Sequence, residues 1–148
     1  MEIIEIKENK KQYIDLLLLG DESEKMIDRY LERGRMYVLI DGAVVSECVV
    51  TDEGDGLLEI KNIATAPKHQ GKGYARALIE FVAEAYRTDF SIIQVGTGDS
   101  PLTIPFYERC GFTYSHTVKN FFTDNYDHPI YECSRQLVDM IYLKRKIK

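Results

Sequence analysis

The chain has no tryptophan, four prolines and only three cysteines among 148 residues. Cys48, Cys110 and Cys133 are scattered, odd in number and never form a Cys-x-x-Cys pair, so neither a disulfide framework nor a metal site is indicated. Long hydrophobic runs are missing too. Leu16 to Leu19 is far short of the ~20 residues that span a bilayer, and MEIIEIKENKK has acids where a secretory leader has basic residues. The resulting expectation is a cytoplasmic protein with no membrane contact. An excess of positive charge is also absent. A formal net charge of −5 argues against broad nucleic-acid binding, which is driven by neutralising phosphates, and suits a cationic small molecule. The basic stretch Lys144 to Lys148 reads as solvated charge on a terminal strand. The length fits one domain, residues 1–148, without repeats or linkers.

What is present is strong periodicity. Glu2 to Lys7 alternates as a strand. Tyr13, Ile14, Leu17 and Leu18 mark a helix stopped by Gly20. Asp21 and Glu24 have the spacing of a capping box before a second helix carrying Met26, Ile27, Tyr30 and Leu31 and closed by Gly34. Met36–Ile40 and Ala43–Val50 flank Asp41-Gly42, a hairpin signal. The turn-like cluster Asp52 to Gly56 then leads into a third antiparallel strand, Leu57–Thr65; it lacks the ligand spacing of a calcium loop. Ala75, Leu78, Ile79, Val82, Ala83 and Tyr86 line one face of a long helix, and Ser91–Gly96 follows as a strand whose helical crossover implies parallel pairing. Pro105 fits a short helix only if that helix starts near Ile104, and Gly111 ends it. Phe112–His116 and Leu137–Lys144 read as closing strands around an aromatic and acidic connection, Phe121 to Glu132.

Between the third strand and the long helix lies IATAPKHQGKGYARALIEF, residues Ile63 to Phe81. Gly71 and Gly73 permit a tight bend and a close approach to the main chain. The unpaired N–H groups of a helix start, at the positive end of its dipole, form an anion site. By itself this is either a phosphate cradle or an ordinary strand-to-helix turn.

Gln70, Gly73 and Ala75 match the Q/R-x-x-G-x-G/A fingerprint of the GCN5-related N-acetyltransferase family, and Phe106-Tyr107-Glu108-Arg109-Cys110-Gly111-Phe112 matches its aromatic-Tyr run ending in Gly-Phe. With the order of elements over most of the chain, the sequence resembles that family. The resemblance implies an α/β (α+β) fold: a mixed, mostly antiparallel central sheet of about seven strands flanked by about four helices. It implies acetyl transfer from acetyl-CoA, without a metal, to a primary amine of a small molecule or protein by direct attack. The main-chain N–H groups of Gln70, Gly71, Lys72, Gly73, Tyr74 and Ala75 would then hold the CoA pyrophosphate, with the Lys72 side chain either helping or solvated. Ile63, Ala64 and Thr65 would pair with the pantetheine arm and direct an N–H at the thioester carbonyl, where negative charge develops. Tyr107 would serve the leaving thiolate; otherwise it is a core tyrosine.

The acceptor amine must lose a proton before it attacks, and Glu59 on the central strand is the candidate base. Spacing does not fix its face, because a bulge would reverse the alternation. In the connection, Asp124, Asp127 and Glu132 among Phe121, Phe122, Tyr126 and Tyr131 have the composition to hold a cation; Asp124 and Asp127 are the candidate acceptor contacts, with a solvated loop as the alternative. Cys110 has no base paired with it, and His69, His116 and His128 are separated, so covalent catalysis is not indicated. Two other functions compete. A non-catalytic acyl-CoA-sensing module would have no use for Tyr107, and a nucleotide-binding domain is opposed by GKGYA, which lacks the P-loop ending. Exposed strand edges near the C-terminus make a homodimer an expectation.

Overall fold

Residues 1–147 are described by the structure, a computed structural model. The opening alternation forms β1 (Glu2–Ile6), paired antiparallel with β2 (Arg35–Asp41). The Asp41-Gly42 turn returns the chain as β3 (Ala43–Asp52), and the acidic turn leads to β4 (Leu57–Thr65), both antiparallel to their predecessors. Within that second turn the Gly54 N–H donates to the Asp52 carboxylate at 2.8 Å, closing it without outside help.

Between β1 and β2 a 3₁₀ turn, Lys10–Tyr13, leads into α1 (Ile14–Gly20), and α2 (Glu24–Asp28) follows. The helix α2 is shorter than its apolar spacing suggests, and its cap is Ser23, whose hydroxyl accepts the Met26 N–H at 3.3 Å. Asp21 instead accepts the Ser23 N–H at 3.2 Å, two residues too early to cap α2. Tyr30 and Leu31 stay buried in the turn that ends at Gly34. Lys10, itself buried, places its ammonium on the carbonyls of Leu31 and Gly34 at 2.9 and 2.8 Å, a cation neutralising the negative end of that turn.

The long helix α3 (Tyr74–Ala85) buries Tyr74, Leu78, Ile79, Val82 and Ala83 against β2, β3 and β4, the face expected from its spacing apart from half-buried Ala75. It leads to β5 (Ile92–Gly98), parallel to β4 as a strand-helix-strand unit requires. Next comes α4 (Ile104–Arg109), with Pro105 in its first turn, where no N–H is needed, and β6 (Thr113–Val118). The connection then forms α5 (Phe121–Asn125) and a small hairpin, β7 (Tyr131–Glu132) with β8 (Arg135–Gln136), before β9 (Met140–Lys146).

The main sheet has the order β1-β2-β3-β4-β5-β9-β6, seven strands with only the β4–β5 pair parallel. The expected mixed sheet is thus present, with five helices in place of about four. The last strand begins at Met140, not Leu137, and enters between β5 and β6. Lys144 to Lys146 pair within it, while Lys148 lies outside the described residues. One apolar core lies under α3 and α4; a second packs beneath α1 and α2. No helix among the described residues is long and apolar enough to cross a membrane.

Candidate active site

The site begins with a break in the sheet. β4 and β5 pair only from Leu57–Ile92 to Ile60–Val95, then part. The cause lies on the other edge of β4, where Val50 opposes Ile60 but Val49 opposes Asn62, so Lys61 is an unpaired extra residue. Such a bulge bends its strand and increases its twist, here turning the end of β4 away from β5. Beyond the bulge, the Ala66 N–H donates to the Val45 carbonyl at 2.9 Å, and the Ala64 carbonyl accepts the Ser46 hydroxyl at 2.8 Å, so these residues face β3. By alternation the main-chain groups of Ile63 and Thr65 face the gap. Of the three residues expected to line a thioester arm, Ile63 and Thr65 offer backbone groups to the gap, and Ala64 does not.

At the end of β4 the chain passes a 3₁₀ turn, Pro67–His69, and reaches the glycines. Gly71 and Gly73 have φ of 79° and 85°, conformations that strain any side chain, and no heavy atom lies within 4 Å of where a Cβ would stand. Their openness leaves the main chain accessible. The first helical bond of α3 here runs from the Ala77 N–H to the Gly73 carbonyl at 3.0 Å, leaving the N–H groups of Tyr74 and Ala75 without helical partners. Gln70 reaches back to the Thr65 carbonyl at 3.3 Å, and exposed Lys72 adds positive charge. The Tyr74 side chain is buried and bonds the Asp41 carboxylate, anchoring the helix start to the β2–β3 turn.

A cavity of about 330 Å³ lies where the strands part. Tyr107 lines it from α4, buried to 7% exposure and edge-on to Phe106 and Phe112, with no protein partner for its hydroxyl among the described residues. Burial pushes this phenol well above its ordinary value, and the neighbouring Cys48 and Cys110 add to the shift. Opposite walls come from Leu18 to Glu22 at the end of α1 and just beyond it, and from Tyr126, Ile130, Tyr131 and Glu132 of the connection. Three carboxylates, Asp21, Glu22 and Glu132, therefore border the space into which Tyr107 faces. Burial raises the thiol pKa of both Cys48 and Cys110, which disfavours their thiolate forms.

Glu59 does not border this cavity. It lines a neighbouring one of about 170 Å³, with both oxygens engaged: Oε1 accepts Gln94 Nε2 at 2.7 Å and Oε2 pairs with Lys61 Nζ at 3.0 Å. Because the bulge follows Glu59, this residue keeps the face opposite Leu58 and Ile60. Asp124 and Asp127 are not among the residues of the Tyr107 cavity either; both are exposed, and Asp127 bonds His128. From the expected acceptor segment it is Glu132, with the aromatic rings, that reaches the site.

Asp21, Glu22 and Asn62 escaped sequence reasoning as site residues. Asp21 looked like a helix cap, and nothing local relates the end of α1 to a segment a hundred residues away. His128 makes that relation visible: Nε2 meets Glu22 Oε1 at 2.8 Å and Nδ1 meets Asp127 Oδ1 at 2.6 Å, beside the Tyr126–Asp21 and Arg29–Asn125 hydrogen bonds. The bonds to Asp127 and then Glu22 hold the His128 pKa above its ordinary value. Its stabilisation is thus fully present below about 6.5 and is lost as pH rises through the higher folded value. We expect wild type to melt above His128→Gln at low pH and the difference to vanish at alkaline pH; a constant difference in a thermal-melt series would contradict this.

The sheet parts beside a glycine turn and a helix start with unpaired N–H groups, and a buried tyrosine lines the same gap, an arrangement with the shape to admit a long ligand carrying an anionic group. The family model described as "Acetyltransferase (GNAT) domain" matches residues 32–114, more than half of the chain. A Bacillus subtilis protein called "Uncharacterized N-acetyltransferase YvbK" is 33% identical over 140 residues, covering 93% of this chain and 90% of its own. A GNAT family acetyltransferase from Elizabethkingia anophelis, solved with acetyl-CoA bound, is 32% identical with a TM-score of 0.92, covering 98% and 97% of the two chains. A Bacillus subtilis acetyltransferase solved with CoA shows the same identity and coverages, with a TM-score of 0.90. The chain belongs to the GNAT acetyltransferase family.

Proposed function

We propose that the protein transfers an acetyl group from acetyl-CoA to a primary amine, by direct attack of the amine within a ternary complex. The carrying observation is that the freed backbone edge of β4, the Tyr107 hydroxyl and three carboxylates meet at one gap in the sheet. The residues present fit acetyl-CoA: the open turn at Gly71 and Gly73 and the α3 start suit its pyrophosphate, and the parted strand suits the amide-bearing arm. The acetyl thioester supplies the activated acyl group. The N–H of Ile63 or Thr65 would stabilise charge developing on its carbonyl oxygen, and Tyr107 would hydrogen-bond the departing sulfur. The acidic, aromatic walls favour a cationic acceptor, and the volume suits a small molecule or a protruding side chain.

The direct test adds acetyl-CoA and a panel of primary amines, such as tyramine, spermidine and lysine, and follows melting temperature and release of free CoA. A ligand that binds only the native state raises the apparent stability. Stabilisation with turnover of an amine is expected. Stabilisation without turnover on any acceptor would support a sensing module, and absence of stabilisation would refute the reading. Gly73→Ala probes the cradle. An alanine held at φ 85° costs roughly 1–2 kcal/mol, so weaker acetyl-CoA binding, measured by titration, is expected with the amine KM unchanged.

A further inference from the structure

Asp21 directly follows the last residue of α1 and lines the Tyr107 cavity. Its carboxylate is held from two elements. Oδ1 accepts the Tyr126 hydroxyl at 2.9 Å and the Ser23 N–H at 3.2 Å, while Oδ2 accepts only the Tyr30 hydroxyl, at 3.3 Å. Oδ2 thus keeps accepting capacity for a further donor. The Tyr30 hydroxyl in turn accepts Asn62 Nδ2 at 3.0 Å, and the same amide nitrogen donates to the Leu17 carbonyl at 2.9 Å, which ties this corner to β4. Gly20 packs so close to Asn62 that a Cβ would stand 2.1 Å from its Oδ1. The position is thus fixed from several sides, and fixed geometry is what a reacting group needs.

The charges around Asp21 are distributed tellingly. Glu22, its neighbour, is bridged by His128, and Lys61 in the same cavity is bound to Glu59. Glu132 faces it from the hairpin, Tyr126 from the connection and Tyr30 from the end of α2; Arg29 and Arg33 border the adjoining smaller cavity, where Arg33 pairs with Glu53. Among the described residues no cation is bonded to Asp21, although it is half-buried and anionic groups flank it. Asp21 lines that smaller cavity as well, with Arg29, Arg33 and Lys61, but these cations are bonded to Asn125, Glu53 and Glu59 respectively, so the accepting capacity left on Oδ2 is open to a cation from outside.

We propose that Asp21 receives the ammonium group of the acceptor and takes from it the proton whose loss frees the nitrogen to attack. The assignment rests on the acetyl-transfer reading. A carboxylate and an alkylammonium differ in acidity by about six orders of magnitude in water. Burial raises the Asp21 carboxyl, and desolvation of a bound ammonium lowers its own value, so the two converge in the cavity. In the balanced sequence, one ammonium proton passes to Asp21, the freed lone pair forms the C–N bond, and the C–S bond breaks with its electron pair on sulfur. The second nitrogen proton, acidified by acylation, replaces the one that Tyr107 yields to sulfur. Asp21 then releases its proton to solvent, giving amide, thiol and one proton overall.

Asp21→Asn keeps the size of the side chain and an oxygen acceptor. With the amine that wild type turns over fastest, kcat/KM is expected to fall by about a hundredfold, with acetyl-CoA-induced stabilisation unchanged and amine-induced stabilisation lost. The deficit should shrink at alkaline pH, where the free amine deprotonates in solution. A rate within twofold of wild type, or a loss independent of pH, would overturn the assignment. Tyr126→Phe gives a second, milder test that does not depend on the Asn variant folding. Removing a hydrogen bond that stabilises the carboxylate should move the acid limb of the kcat/KM profile upward, and an unmoved limb would also overturn it. Should wild type neither bind acetyl-CoA nor acetylate any amine, the underlying acetyl-transfer reading fails first; an active wild type with an active Asn variant removes Asp21 alone.

Discussion

Tyr107→Phe is expected to lower kcat by about a hundredfold with little change in acetyl-CoA affinity or melting temperature. The size of the effect follows from what the hydroxyl touches. It has no protein partner among the described residues and faces the cavity, so its deletion leaves no broken bond within the fold. The ring remains edge-on to Phe106 and Phe112, with centroids 5.3 and 5.8 Å away, and Phe reproduces both contacts. In water, full proton transfer from a phenol of pKa about 10 to a thiolate of about 8.5 is uphill by roughly 2 kcal/mol, and burial makes Tyr107 a weaker acid still. The same burial raises the basicity of a thiolate formed beside it. A proton shared during C–S cleavage is therefore the fitting description, and loss of that hydrogen bond is felt mainly in the rate. Steady-state kinetics and acetyl-CoA-dependent melting separate the two quantities; a fully active Phe variant would exclude Tyr107 from the chemistry.

The elements that could be read from sequence were those whose cause is local. The Asp41-Gly42 hairpin, the α3 face and the Pro105 helix start each follow from a few adjacent residues. The cofactor half of the candidate site was legible for the same reason, since a strand end, a glycine turn and a helix start are contiguous from Ile63 to Phe81. The acceptor half was not. It is assembled from the end of α1, the bulge at Lys61 and a connection one hundred residues on, and the decisive step is the entry of β9 between β5 and β6. Glu59 shows the same limit at one residue. Its position on the central strand was right, but the partners that occupy its carboxylate, Gln94 and Lys61, depend on register and on the bulge. In the connection the acidic and aromatic composition drew attention to a segment that does line the Tyr107 cavity. The buried cluster of Phe122, Ile130 and Leu137 then decides which of its acids turn inward, leaving Asp124 and Asp127 in solvent.

Glu47→Gln should stabilise the protein in a pH-dependent way. Glu47 stands on β3 between Val38 and Ala64, is fully buried, and neither carboxylate oxygen has a partner. Burial raises its pKa well above the ordinary value, so the native state retains a proton that the unfolded chain releases above about 4.3. Stability therefore falls as pH rises from the unfolded value toward the folded one, because the native state binds the extra proton. Glutamine removes the titration at nearly constant volume. It also brings N–H donors near Asn62 Oδ1, itself unpartnered and on the same face two residues out of register, a diagonal that long side chains can span. An unmet buried polar group costs about 1–3 kcal/mol, and roughly 2–4 °C of melting temperature accompanies each kcal/mol in a chain of this size. The advantage of the variant should thus be smallest near the unfolded-state value of about 4.3 and grow as pH rises above it. Glu47 lines neither the Tyr107 cavity nor its neighbour, so the effect of the variant should be read chiefly in stability. A stability difference that does not vary with pH would mean that Glu47 finds a partner for its charge, and a fall in kcat would place that partner on the reaction path.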